Sequence, residues 1–214
     1  MASPPRLARS FYRRPTLLVA RELLGQRLVR LERGRRLSGW IIEAEAYIGE
    51  QDLACHARSG RTERNQVMWG EPGHAYIYFT YGMHWCLNVV TETKGRPAAV
   101  LLRALSPAEG IATMRRRRGQ RSAPGEGGAP SKGLVDGPAK LCQALDLDRR
   151  FNDHDLCAPQ ARLFIERAPA VPRCAIRRGP RVGLEHVPEP WKSKPWLFRL
   201  ASEHVPLLLE EESA

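Results

Sequence analysis

Apolar residues recur along this chain with two periods, and the periods mark out its elements. Between Pro15 and Gly25 the apolar positions Leu17, Leu18, Val19, Leu23 and Leu24 follow helical spacing and end at a glycine, which predicts a helix. Residues 26–31 and 37–47 read as two strands joined at Gly34. Residues 74–80 and 84–90 alternate as a hairpin turning near Tyr81-Gly82. Residues 97–105 form a nearly unbroken apolar run, hence a buried strand, interrupted by one charge at Arg103. The next four residues, Ser106-Pro107-Ala108-Glu109, have the form of a capping box with proline at the first helical position, so a helix is expected toward Met114. A further helix is predicted from Asp136-Gly137-Pro138 to Leu145, and further strands at 163–165 and 196–198. The polar, glycine- and arginine-containing stretch 58–73 lacks periodicity and predicts a loop.

This alternation of element types predicts an α+β fold: one domain with a curved, mostly antiparallel β-sheet core flanked by helices. With 214 residues the chain can bury one sizeable core, and no repeat or composition break divides it. The domain is expected to span residues 15–205, after a flexible N-terminal segment (1–14) and before a C-terminal tail (206–214). The arginine- and glycine-rich stretch 115–133 is expected to be a mobile loop.

Charge changes the picture more than composition does. The formal net charge is +11, and of 34 basic residues only five are lysine. A GC-rich coding sequence accounts for arginine over lysine, but not for the size of the net charge, which points to a polyanionic partner. The five cysteines are scattered, with no metal-ligand spacing, which predicts neither a disulfide framework nor a zinc site and suits a reducing compartment. Residues 1–14 lack an apolar leader, and no run of eighteen apolar residues occurs, so a soluble intracellular protein without a membrane partner is expected.

The candidate chemistry lies between Trp40 and Asn88. Strand alternation sends Glu43, Glu45 and Tyr47 to one face and Ile42, Ala44, Ala46 and Ile48 to the other. Two acids at that spacing need a cation, water or a shared proton, and Arg103, alone in an apolar strand, needs a carboxylate. Arg103 is therefore expected to meet Glu43 or Glu45, keeping a glutamate ionised as a general base suited to gripping water. A buried ion pair without catalytic duty accounts for these three residues equally well. Tyr76 and Tyr78 share a strand face, and with Tyr47 and His56 across the sheet their rings form a slot for a planar base; Tyr76 itself reads as core packing. Tyr81, beside Gly82 at a hairpin tip, is a candidate wedge between stacked base pairs.

The segments Glu43-Ala44-Glu45-Ala46-Tyr47, His56, Tyr78-Phe79-Thr80-Tyr81-Gly82-Met83 with Asn88, Leu101-Leu102-Arg103-Ala104-Leu105 and Gly137-Pro138-Ala139-Lys140-Leu141 closely resemble the alkyladenine (3-methyladenine) DNA glycosylase family. The resemblance runs in order over nearly the whole chain. It implies that Glu45 deprotonates the attacking water, which Arg103 and the main-chain carbonyl of Val182 help to hold. It further implies that Tyr47, His56 and Tyr78 hold a flipped purine, that Tyr81 fills the gap in the duplex, and that Asn88 excludes a purine 2-amino group. Glu43 receives no catalytic role. The start of the 138–145 helix offers free N–H groups at Gly137-Pro138 which, with Lys140, make a weak phosphate seat.

The reaction so implied is hydrolysis of the N-glycosidic bond of a damaged purine in double-stranded DNA, leaving an abasic site. It needs no cofactor or metal and only a monomer, and implies a bacterial cytoplasmic, nucleoid-associated location. No lysine precedes Lys94, so the motif region has no Schiff-base nucleophile, and an enzyme without lyase activity is expected. Two other classes compete: a non-catalytic binder of damaged DNA using Tyr81 alone, and a metal-dependent nuclease using Glu43, Glu45, Asp52 and His56.

Overall fold

The computed structural model describes residues 4–120 and 133–205. Two short helices, α1 (Arg9–Tyr12) and α2 (Thr16–Glu22), precede strands β1 (Arg27–Glu32), β2 (Arg35–Ile48), β3 (Ala75–Thr80), β4 (His84–Val90) and β5 (Ala98–Glu109). Helices α3 (Ile111–Arg117) and α4 (Pro138–Leu145) follow, then β6 (Leu163–Glu166), β7 (Ile176–Gly179) and β8 (Leu197–Leu200). The strands form one curled antiparallel sheet in the order β3-β4-β5-β2-β1-β6, with β8 beside the second half of β2 and β7 beside β8. The expected α+β class with a curved antiparallel core is what the chain adopts.

Two β-bulges on the central pair β2–β5 place the chemistry. Ile41 faces Leu105 and Glu43 faces Ala104, so Ile42 is an extra residue on β2. Ala44 faces Leu102, so Arg103 is the matching extra residue on β5. The first bulge flips the parity of β2. Leu37 and Ile41 point into the main core before it, and Ala44 and Ala46 after it. The alternation had assigned Ile42 to that face, which Ile41 occupies instead. Gly39 serves close approach: a Cβ there would lie 2.7 Å from the Ser106 carbonyl oxygen of β5.

One face of the sheet carries the main core, with Ile77, Leu87, Val89, Val100 and Leu102 packing against α2 and α4. The other face carries a smaller cluster in which Tyr76, Val90 and Ala99 meet Cys55, Ala57, Val67 and Met68 from the 49–70 segment. That segment includes two 3-10 turns, His56–Ser59 and Gln66–Trp69. Among the described residues no helix is long and apolar enough to cross a membrane.

Three expectations need correction. Residues 106–109 continue β5 rather than capping a helix, and α3 starts after Gly110. Pairing wins over local capping: Glu109 accepts from Ser38 Oγ (2.7 Å) and meets Arg36 and Arg27, and a register shift beside Pro107 absorbs the residue that lacks an N–H. The N-terminal segment is not a loose leader from residue 4 onward. Leu7 N–H bonds the Ile165 carbonyl at 2.8 Å, and Leu7 and Tyr12 are buried in the main core. Residues 115–117, placed in the mobile loop, belong to α3 with Met114 and Arg115 buried; residues 121–132 of that loop and the 206–214 tail lie outside the described residues.

Candidate active site

Strands β2 to β5 each contribute to a cavity of about 550 Å³ on the small-cluster face. Pairing sets the level of its walls: Asn88 of β4 and Glu45 of β2 both flank Leu101 of β5, and Tyr76 of β3 faces Asn88. Tyr47, His56, Tyr78, Asn88, Arg103 and Val182, all singled out from sequence, line this cavity. Tyr81 stands at its rim. Tyr81 and Gly82 both have positive φ (52° and 66°), the turn geometry that closes a two-stranded hairpin, and Tyr81 is 84% exposed.

Glu45 is fully buried, and three donors hold its carboxylate. The Tyr47 hydroxyl donates to Oε2 at 2.8 Å, the Val182 N–H donates to Oε1 at 2.8 Å, and an Arg103 terminal nitrogen lies 3.3 Å from Oε1. Burial pushes the Glu45 carboxyl above its ordinary range, while Arg103, the Val182 N–H and the Tyr47 hydroxyl pull it back. Arg103 also donates its Nε to Glu43 Oε1 at 2.6 Å, so it spans both acids. The bulge at Arg103 lets one guanidinium serve two carboxylates of the neighbouring strand. Glu43 in turn accepts from Arg199 at 2.6 Å. Burial disfavours the Arg103 charge, but Glu45 and Glu43 more than compensate and hold it protonated.

The aromatic wall differs from a pair of parallel plates. The His56 ring meets Tyr78 edge to face, with centroids 4.5 Å apart at 80°. His56 Nδ1 bonds the Tyr76 hydroxyl at 2.9 Å, so Tyr76 is both core and a positioning element of the wall, beyond the packing role expected of it. Burial, with Arg64 and Arg58 nearby, lowers the His56 pKa to about 4, so the ring is neutral at physiological pH. Asn88 is fixed by its Nδ2–H bond to the Tyr76 carbonyl at 3.1 Å.

Several placements depart from the sequence reading. Val182 was singled out for its carbonyl, whereas its N–H is what reaches Glu45. Lys140 pairs with Asp136 at 2.7 Å beside the Gly137 cap. Asp52 does not join Glu43, Glu45 and His56: its two oxygens accept from Arg181 at 2.6 and 2.8 Å. Among the described residues no three His, Cys, Asp or Glu side chains come together to hold a metal ion. Sequence reasoning missed the Arg181–Asp52 pair, although a charged residue directly before Val182 in an irregular stretch was a signal. It also missed Arg64, which lies over the Tyr78 ring at 5.5 Å.

Glu45 is not itself among the residues lining the cavity, but its three donors, Tyr47, Arg103 and Val182, all line it, and the exposed Tyr81 stands at the rim. The methylpurine-DNA glycosylase family model matches residues 10–204. A protein of Myxococcus xanthus is 46% identical over 200 residues, covering 93% of this chain and 92% of its own length. One of Methanocella arvoryzae is 47% identical over 194 residues, covering 91% and 92%. Both are named as candidate 3-methyladenine DNA glycosylases. The chain belongs to the methylpurine-DNA glycosylase family.

Proposed function

We propose that this protein excises damaged purines, alkylated ones foremost, from double-stranded DNA by hydrolysing the N-glycosidic bond. The observation that carries this reading is Glu45: a fully buried carboxylate gripped by Arg103, the Val182 N–H and the Tyr47 hydroxyl, three groups that line an aromatic cavity. A pure DNA binder has no use for a buried acid, which repels phosphate.

In this mechanism Tyr81 occupies the space vacated in the duplex while the purine rotates into the cavity. Tyr47, His56 and Tyr78 enclose the base, and Asn88 leaves no room for a 2-amino group. A water bound at Glu45 loses its proton to the carboxylate and bonds the sugar anomeric carbon. The glycosidic C–N bond breaks and its electrons go to the base. An N-alkylpurine starts with a positive charge and leaves neutral, so it needs no proton from the enzyme. A neutral His56 suits that charge better than an imidazolium would. The Glu45 carboxylate also favours the positive charge that develops at the sugar.

None of the residues lining the cavity is a lysine, which supports a monofunctional enzyme without lyase chemistry. Borohydride should therefore trap no covalent adduct with DNA, and recovery of one would refute that part. For the main reading, Glu45→Gln keeps the shape and removes the base. Release of 3-methyladenine from alkylated duplex should fall at least about 100-fold while binding to lesion-bearing DNA persists. Release at the wild-type rate removes the assigned mechanism, and tight lesion binding with no release by the wild-type chain favours a non-catalytic damage binder.

A further inference from the structure

The N–H that grips Glu45 comes from a stretch with no regular structure. Residues 180–196, between β7 and β8, contain neither helix nor strand, and Val182 itself is 50% exposed. A half-exposed residue of such a loop has nothing of its own to hold its amide at 2.8 Å from a buried carboxylate. The adjoining residue, Arg181, is the opposite: its side chain and that of Asp52 are both fully buried.

The Arg181 fork reaches four acceptors. One terminal nitrogen bonds Asp52 Oδ2 at 2.6 Å and the Ala46 carbonyl at 3.0 Å; the other bonds Asp52 Oδ1 at 2.8 Å and the Trp191 carbonyl at 3.3 Å. Its guanidinium carbon lies 4.7 Å from the centre of the Tyr47 ring and 4.9 Å from that of Trp196. Asp52 also accepts the N–H groups of Ile48 and Ala54, both at 3.1 Å, which shapes the turn leading to His56. One buried ion pair thus ties together three parts of the site: the strand carrying Glu45 and Tyr47, the turn leading to His56, and the loop carrying Val182.

We infer that Arg181 and Asp52 are positioning residues for base excision, locking the Val182 amide and the Tyr47 ring onto Glu45. Neither touches the base or the sugar; both act through Val182 and Tyr47. The inference rests on the excision reading for its rate consequence, and on the structure alone for its geometric one. Arginine is required here rather than lysine, because a point charge cannot give two parallel bonds to Asp52 and lie flat against Tyr47.

Two conservative variants test it, Arg181→Lys and Asp52→Asn, each checked for folding by thermal melting; Arg181→Lys is the milder change should Asp52→Asn not fold. Single-turnover base release should fall about 100-fold in either, as for other displacements of a catalytic group, while affinity for abasic-site DNA changes little. The acid limb of the rate should also move to higher pH, because a displaced Val182 N–H no longer stabilises the Glu45 carboxylate. The groups facing Glu45 from its other sides (Glu43 and Tyr47 on β2, Tyr78 on β3, Cys86 on β4, Arg103 on β5) are the same in each protein. A purely structural role lowers the melting temperature and leaves that limb in place.

An NMR readout needs no catalysis: the Val182 amide proton shift should follow Glu45 titration in the wild type and lose that coupling in both variants. A folded variant with wild-type rate, limb and coupling overturns the inference. A wild-type chain that releases no base removes the excision reading instead; loss of coupling in the variants then still supports the positioning role, and its retention overturns it.

Discussion

Burial drives the protons of Glu45 and His56 in opposite directions. It raises the carboxyl of the first and lowers the imidazole of the second to about 4. The usual histidine value near 6.5 applies in the unfolded chain, so below it the unfolded state binds a proton that the folded state refuses. The stability that neutral His56 preserves is therefore fully present above pH 6.5 and is lost as pH falls from 6.5 toward about 4. Across that window the loss amounts to at most roughly 3 kcal/mol. His56→Gln, which does not titrate, should show a shallower decline of unfolding free energy over the same pH range. Denaturant melts at several pH values measure this directly, and parallel curves for the two proteins would show that His56 is not buried neutral. Activity has its own limb: base release should decline as acid protonates Glu45, at a pH above the ordinary glutamate value. Arg103→Gln should move that limb higher still, since Arg103 is the strongest of the groups pulling the Glu45 carboxyl down.

At the level of elements, the pair β2–β5 decides whether those residues meet at all. The two bulges beside Arg103 compensate each other, so the register of Gly39–Ile41 resumes from Ala44 onward while Arg103 projects toward Glu43 and Glu45. The crossing at Gly39 is the tight point, and a methyl group there would press on the Ser106 carbonyl at 2.7 Å. Gly39→Ala should cost about 1–3 kcal/mol by overpacking, lowering the melting temperature by at least about 2 °C. An unchanged melting temperature would mean that β5 yields at this point without strain. Much of this pair was legible beforehand. Period-two alternation located both strands, and the lone Arg103 in an apolar run announced its carboxylate partners. What alternation cannot show is a bulge, since one inserted residue looks like any other; hence Ile42 was assigned inward where Ile41 goes. The residues 106–109 failed for a related reason. Ser-Pro-Ala-Glu is a valid cap when read locally, and only the arginines of β1 and β2 and the hydroxyl of Ser38, distant in sequence, claim Glu109 for the sheet. Val182 and Tyr81 mark the two extremes of the site: the turn signal Tyr81-Gly82 is local and could be read, whereas the Val182 amide is held by a pairing between residues 52 and 181 that no local pattern contains.

For the whole molecule, the net charge of +11 becomes a prediction once a face is chosen for it. The cavity opens on the small-cluster face of the sheet, and Arg58 and Arg64 line it. Among the described residues neither pairs with a carboxylate: Arg58 donates to the Leu53 carbonyl and Arg64 to that of Phe79, which leaves their charge uncompensated at the mouth. Arg150 differs in both respects. It follows α4 in a turn whose Phe151 packs into the main core, across the sheet from the cavity, and it is already paired with Asp148 and Asp146. If duplex DNA docks over the cavity, phosphate contacts should come from the first two arginines and not from the third. Affinity should then fall linearly on a log–log plot against salt, with about 0.9 of slope for each phosphate neutralised. Arg58→Ala or Arg64→Ala should each make that slope shallower by up to about one and weaken damaged and undamaged duplexes alike, whereas Arg150→Ala should leave it unchanged. The comparison across salt is the decisive measurement, because a loss of binding that does not alter the slope signals a changed cavity rather than a lost phosphate contact. An altered slope in Arg150→Ala alone would place the DNA on the opposite face, where Tyr81 could not reach the stack and base extrusion into this cavity would be impossible.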